Sequence, residues 1–129
     1  MIKSIEIKFL TPNGLETAII DIDSRNTILI FTRKNGLTKS YTSYNLYGCL
    51  GELRLDFPEF TFLCKGAKIN VHPSSMSSQM SNGLVAYELQ MGKNGEDIVR
   101  IFDYDDCNLT NDIKIQKAFY LAWANSLAN

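Results

Sequence analysis

The residues best suited to catalysis lie in a Ser-rich segment that holds the only histidine of the chain, His72. Ser74 and Ser75 follow it closely, and a histidine can act as the general base that activates a serine hydroxyl. Such a pair needs hydrogen-bond contact, which close neighbours in sequence rarely reach, and the chain has no G-x-S-x-G nucleophile turn. A hydrolase that uses His72 and this loop stays open as an alternative, while a locally hydrogen-bonded loop histidine is the favoured interpretation.

A second polar group is the acidic segment 96–112, which holds six of the 14 acidic residues and a single basic one, Arg100. Its central aspartates could bind a divalent cation through oxygen ligands, but their spacing does not match an EF-hand loop. A solvated turn and a patch that contacts a basic partner are the other interpretations. Because complementary charge orients association, we predict partner contacts here rather than a metal site. The residues concerned are Asp103, Asp105, Asp106, Glu96 and Asp97.

The composition is that of an ordinary globular protein, with 45% hydrophobic and 21% charged residues. A net charge of −1 argues against a nucleic-acid binder, because such proteins usually carry a marked basic excess. No apolar run approaches the roughly 18 residues of a membrane span, and residues 1–8 alternate like a strand rather than a signal peptide. Three cysteines without metal-ligand spacing favour a reducing compartment. We therefore expect a cytoplasmic protein of one domain, residues 1–129, without a cofactor.

Strand patterns dominate the first 40 residues of the chain. Apolar and polar residues alternate around Ile5–Phe9, Leu15–Ile22 and Thr27–Lys34, which predicts a three-stranded meander. From 43 to 56 the apolar period becomes helical, with Ser43 as the expected cap and Pro58 as the stop. The first half of the chain is therefore predicted to be an antiparallel meander followed by one helix.

The second half contains the clearest hairpin. Strand patterns at 84–91 and 96–104 are joined by a Gly-containing turn, and the second strand is apolar on both faces, which predicts a central position in the sheet. Residues 113–127 lack Gly and Pro and predict a helix that begins after Thr110 or Asn111. Its expected apolar stripe consists of Ile115, Ala118, Phe119, Ala122 and Trp123. The predicted fold class is α+β, with an antiparallel sheet of six to seven strands packed against two main helices.

A family resemblance covers roughly the C-terminal half. It is carried by Cys64–Lys68, Val71–Ser77, Met80, Gly83, Ala86-Tyr87, Gly92, Ile101–Tyr104, Tyr120 and Trp123. This part resembles small bacterial immunity proteins encoded beside polymorphic or contact-dependent toxins. The resemblance implies a cytoplasmic protein, a monomer or weak dimer, that binds and blocks a cognate toxin domain. It assigns no contact residue.

The leading hypothesis is therefore a toxin inhibitor that acts by forming a complex. Inhibition of this kind needs a stable scaffold and about 800 Å² of complementary surface per partner. Because nuclease active sites are commonly basic, an acidic patch would suit a nuclease toxin. The Ser-rich loop, with His72, Ser74 and Ser75, is the second predicted contact region. A small-ligand-binding domain with an apolar pocket is the remaining alternative.

Overall fold

The computed structural model describes residues 2–127 and confirms the α+β class. The predicted meander forms one side of a five-stranded antiparallel sheet with the strand order β4-β3-β2-β1-β5. Turn residues at Pro12–Gly14 and Asn35–Gly36 separate its first strands, and Gly14 and Gly36 both adopt positive φ, which glycine tolerates best. The strands are β1 (Ile2–Thr11), β2 (Gly14–Asp23), β3 (Ile28–Arg33), β4 (Thr38–Thr42) and β5 (Thr61–Phe62).

A second, three-stranded sheet accounts for the remaining strands that the structure describes. Its order is β6-β7-β8, from Val71–His72, Val85–Glu88 and Asp97–Arg100. The predicted hairpin is confirmed as β7 and β8, but the central position predicted for its second strand is wrong. β8 lies at the edge, and Ile98 is 63% exposed. The eight strands of residues 2–127 are thus divided between two sheets instead of forming one sheet of six to seven.

Three helices accompany the sheets, where two main helices were predicted. They are α1 (Leu46–Asp56), the short α2 (Ser75–Ser81) and α3 (Ile113–Ser126). α1 begins at Asn45, whose side chain accepts a hydrogen bond from the Gly48 amide, and α3 begins at Asp112. Both caps differ from the predicted ones by one or two residues. None of the described helices combines the length and the apolar character that a bilayer crossing requires.

One hydrophobic core joins both sheets to α1. Side chains alternate along β1, β2 and β3, so Phe9, Ile20 and Phe31 share one face and are fully buried. Phe62 of β5 packs against Phe9 and Phe31, and Val71 and Ala86 extend the same core into the second sheet. The second sheet is therefore held with one face against the core and the other face toward α3.

The side of α3 that is buried differs from the predicted apolar stripe. Gln116 is its buried residue, whereas Ile115 of the predicted apolar stripe is 44% exposed. Gln116 accepts a hydrogen bond from the buried Arg54 of α1 and donates to the carbonyl oxygens of Gly66 and Lys68. Polar contacts therefore fix the first half of α3, and its second half is placed by the aromatic contacts described below.

Candidate functional site

A cleft of about 320 Å³ lies between α3 and the second sheet. The β6–β7 register places His72 opposite Tyr87, so both side chains lie on the sheet face that α3 crosses. Such concave, mostly apolar sites with a few polar groups are where proteins usually bind ligands or anchor residues of partners. The cleft is lined by His72, Ser74, Tyr87, Leu89, Gly95, Tyr120 and Trp123.

His72 forms one wall of the cleft and is held on three sides. Its ring stacks on Tyr120 with centroids 4.2 Å apart, and Tyr47 meets it edge-on at 5.5 Å. The Nδ1 atom lies 2.8 Å from the carbonyl oxygen of Pro73. Because a carbonyl only accepts, Nδ1 carries the proton and Nε2 is left as an acceptor in the neutral ring.

Burial lowers the pKa of His72 below its ordinary value of 6.5. The hydrogen bond to Pro73 raises this pKa, whereas the charge of Lys117 lowers it further. The unfolded chain thus binds this proton more readily than the folded chain. The free energy of unfolding should therefore fall as the pH drops below about 6.5. Urea denaturation at several pH values between about 5 and 7.5 measures this loss.

The variant His72→Phe keeps a ring for Tyr120 to stack on and removes the titrating group. Its stability should change less than that of the original protein over the same pH interval. Because His72 is the only histidine, no other imidazole contributes to the difference. An equal pH dependence in both proteins would contradict the role assigned to its burial.

The hairpin turn between β7 and β8 fixes the opposite end of the cleft. Trp123 donates from Nε1 to the carbonyl oxygen of Lys93 at 2.8 Å, and Ser126 accepts a hydrogen bond from the amide of Gly92. A Cβ atom at Gly95 would lie 3.5 Å from the Trp123 ring, so the turn packs against the indole. These contacts connect the turn to the second half of α3 and set the width of the cleft.

Ser74 and Ser77 cap the N-terminus of α2. Ser74 accepts a hydrogen bond from the Ser77 amide at 3.0 Å, and the Ser77 hydroxyl accepts one from the Ser74 amide, which together form a capping box. Ser75 is exposed at the first position of the helix. Within residues 2–127 no hydrogen bond joins His72 to either serine. The geometry therefore gives no support to the nucleophile–base pair of the hydrolase alternative.

Asp105 is placed differently from the predicted outward-facing acidic end. Its carboxylate lies between the Nζ atoms of Lys65 at 3.0 Å and Lys68 at 2.9 Å. The hydrogen bond from Lys68 is the main reason that the pKa of Asp105 is far below its usual range. Asp105 is thus a structural residue, and reversing its charge would place three cations together and cost stability. Sequence reasoning missed these lysines because they precede Asp105 by 40 and 37 positions.

The other acidic residues fall into two groups. Asp103 and Asp106 are exposed and do not line the cleft. Glu96 and Asp97 line a polar groove of about 500 Å³, together with Glu88 and Lys93. The groove and the cleft share no lining residue and lie on either side of the 92–95 turn, because Glu88 and Asp97 are paired and point to the sheet face opposite to that of Tyr87. Of the predicted contact residues, His72 and Ser74 line the cleft and Glu96 and Asp97 line the groove, whereas Ser75, Asp103, Asp105 and Asp106 line neither.

The aromatic walls of the cleft were not predicted as a site. Tyr120 and Trp123 are spaced to share one side of a helix, and sequence reasoning assigned Trp123 to packing against the sheet. No local pattern in the sequence reveals the cleft, because it depends on the register that sets Tyr87 opposite His72 and on the placement of α3, which brings Tyr120 and Trp123 to them. Comparisons with protein-family models and with curated proteins find no match for this sequence.

Proposed function

We propose that the protein is a cytoplasmic immunity protein that binds and neutralises a cognate toxin domain without catalysing a reaction. The observation that supports this proposal is the aromatic cleft beside an acidic groove. The cleft supplies Tyr87, Tyr120 and Trp123 on neighbouring elements. Tyrosine and tryptophan are the residues that most often dominate the energy of protein interfaces.

The arrangement suits a protein partner because an apolar cleft and a charged groove flank the same turn, 92–95. Interfaces commonly have an aromatic core that excludes water and a polar rim that orients the partner. Here Glu96 and Asp97 supply the acidic character of the groove, since Glu88 lies 3.9 Å from both Lys65 and Lys68, and Lys93 is the cation among its lining residues. A basic surface, as in a nuclease toxin, would be attracted to this groove while an apolar or aromatic anchor enters the cleft.

The first experiment is co-expression with a toxin domain encoded beside this gene. Cells should survive only when both proteins are present, and the two should elute together in size exclusion. Cell death despite expression of the folded protein, together with no complex, would refute the proposal. Localisation of a tagged protein to the cytoplasm belongs to the same test.

The second experiment asks which acidic region contacts the toxin. Exchanging both Glu96 and Asp97 for lysine should weaken binding by about 10- to 100-fold, mainly by slowing association and reducing its dependence on salt. Surface plasmon resonance at two salt concentrations measures this change. The matched control exchanges the exposed Asp103 and Asp106 for lysine, with the same change in charge. A loss confined to the control would place the interface at the originally predicted acidic end.

A small ligand in the same cleft is the second candidate function. Its volume of about 320 Å³ is at the lower end of typical ligand pockets. His72 Nε2 and the tyrosine hydroxyls could orient a planar molecule between aromatic walls. Native mass spectrometry of the purified protein would favour this candidate if the protein carried an additional bound mass, and an unliganded spectrum would count against it.

A further inference from the structure

The outer edge of the first sheet is the five-residue strand β4. β4, with the sequence Thr38-Lys39-Ser40-Tyr41-Thr42, pairs with β3 on one side and with no other described strand on the other. Four of its five residues are exposed, and Tyr41 is half-buried. Proteins usually protect such an edge with proline, a bulge or several charges, because its free backbone groups can pair with another strand. Here Lys39 is the single charge.

The hairpin geometry determines which backbone groups face outward. Arg33 donates its amide to the carbonyl oxygen of Leu37 at 2.8 Å and starts the β3–β4 ladder. Hydrogen-bonded and non-hydrogen-bonded pairs alternate in an antiparallel ladder. Lys39 and Tyr41 therefore bond to β3, whereas Thr38, Ser40 and Thr42 direct their N–H and C=O groups to the open side.

We propose that β4 pairs antiparallel with β4 of a second copy of this chain, about a two-fold axis at Ser40. Ser40 then lies opposite Ser40 of the second copy, and Thr38 lies opposite Thr42. All outward groups find partners, since each of the three residue pairs exchanges two hydrogen bonds. The two first sheets join into one continuous sheet across the dimer.

Charge complementarity supports this register. It places Lys39 opposite Tyr41 of the second copy, and the Tyr41 hydroxyl donates to Asp56 at 2.6 Å within its own chain. Tyr41 and Asp56 line a shallow depression of about 290 Å³ with Glu52 and Leu55. Leu55 is 51% exposed and can pack against the aliphatic part of the incoming lysine. Lys39 also lies 3.7 Å from Asp56 of its own chain, so its charge is already partly compensated and discourages edge pairing less, and across the axis it approaches Glu52 of the second copy.

The neighbouring registers fit less well. An axis at Lys39 would set two lysines directly opposite each other, which is destabilising. An axis at either Lys39 or Tyr41 would leave only two residue pairs with matching outward groups. The edge of β8 is less suited to pairing with another strand than the edge of β4. The Arg100 carbonyl oxygen of β8 already accepts a hydrogen bond from the Asp103 amide.

Sedimentation of the purified full chain over a roughly 100-fold range of concentration tests the proposal, since dimers gain population with concentration. The apparent mass should approach twice that of one chain at the upper end. Ser40→Pro removes an outward N–H and leaves the β3–β4 ladder intact, so this variant should remain monomeric. Ser40→Ala keeps that N–H and is the matched control, which should dimerise like the original protein.

Charge reversal provides a test that does not depend on how Ser40→Pro folds. Lys39→Glu should abolish the dimer because it places a glutamate beside Asp56 of its own chain and beside Glu52 of the second copy. The double variant Lys39→Glu, Glu52→Lys should restore it. The proposal is overturned if the original chain stays monomeric throughout, if Ser40→Pro still dimerises, or if the double variant does not recover. A monomeric chain whose toxin complex is lost in Ser40→Pro would assign the edge to a partner strand instead.

Discussion

Replacing Arg54 with alanine is expected to lower the free energy of unfolding by about 2–4 kcal/mol, because each buried acceptor left without its donor costs about 1–3 kcal/mol and the truncation opens a cavity. Arg54 is fully buried, and burial lowers the pKa of its guanidinium. It donates from Nη1 to the carbonyl oxygen of Thr110 at 2.6 Å and from Nη2 to Gln116 Oε1 at 2.8 Å. The truncation would leave both acceptors without their donor and would open a cavity between α1 and α3.

Urea or thermal denaturation measures this loss, with Arg25→Ala as the control. Arg25 is an exposed arginine in a turn, and surface substitutions usually change stability by no more than about 0.5 kcal/mol. Arg54→Met should be less damaging than Arg54→Ala because it fills more of the space, yet both acceptors stay unpaired. If Arg54→Ala were as stable as Arg25→Ala, the contact between α1 and α3 would not contribute as argued.

Arg54 also shows where reasoning from the sequence ends. On the sequence it is a basic residue in the last turn of a predicted helix, where arginine is usually exposed and interacts with the helix dipole. Its burial depends on Gln116, which lies 62 positions later. The predicted packing of Ile115 in the apolar stripe of α3 was wrong for the same reason. The helix is held through the buried Gln116, and Ile115 is 44% exposed. A helical period shows that one side is apolar but does not determine which side meets the protein.

Local patterns, by contrast, predicted local structure well. The meander and the β7–β8 hairpin follow from alternation and turn residues, which are properties of neighbouring positions. Their division into two sheets depends on distant contacts, such as the bridge between Cys64 and Tyr104. The same limit applies to the site. The sequence indicated His72 and the acidic residues near Glu96, while the stacking of His72 on Tyr120 required the placement of α3.

Replacing Trp123 with alanine is the change expected to weaken toxin binding most. Central aromatic residues of an interface often cost about 2–4 kcal/mol when truncated, which is roughly a 30- to 1,000-fold loss of affinity. Trp123 forms a wall of the cleft and also holds the 92–95 turn through the Lys93 carbonyl oxygen. Isothermal titration of the variant with the toxin domain measures the loss. Tyr44→Ala is the aromatic control, because Tyr44 is 91% exposed and does not line the cleft.

A second variant separates the loss of contacts from a disturbance of the turn. Gly95 has no positive φ, and a Cβ atom there would make ordinary contacts with Leu89 and Trp123. Gly95→Leu should therefore fold and fill the cleft while every aromatic residue is retained. If an anchor residue of the toxin enters the cleft, this variant should lose binding as Trp123→Ala does. Unchanged affinity in Gly95→Leu would exclude the cleft and leave the acidic groove as the contact region, because the side chains that line that groove are unaltered.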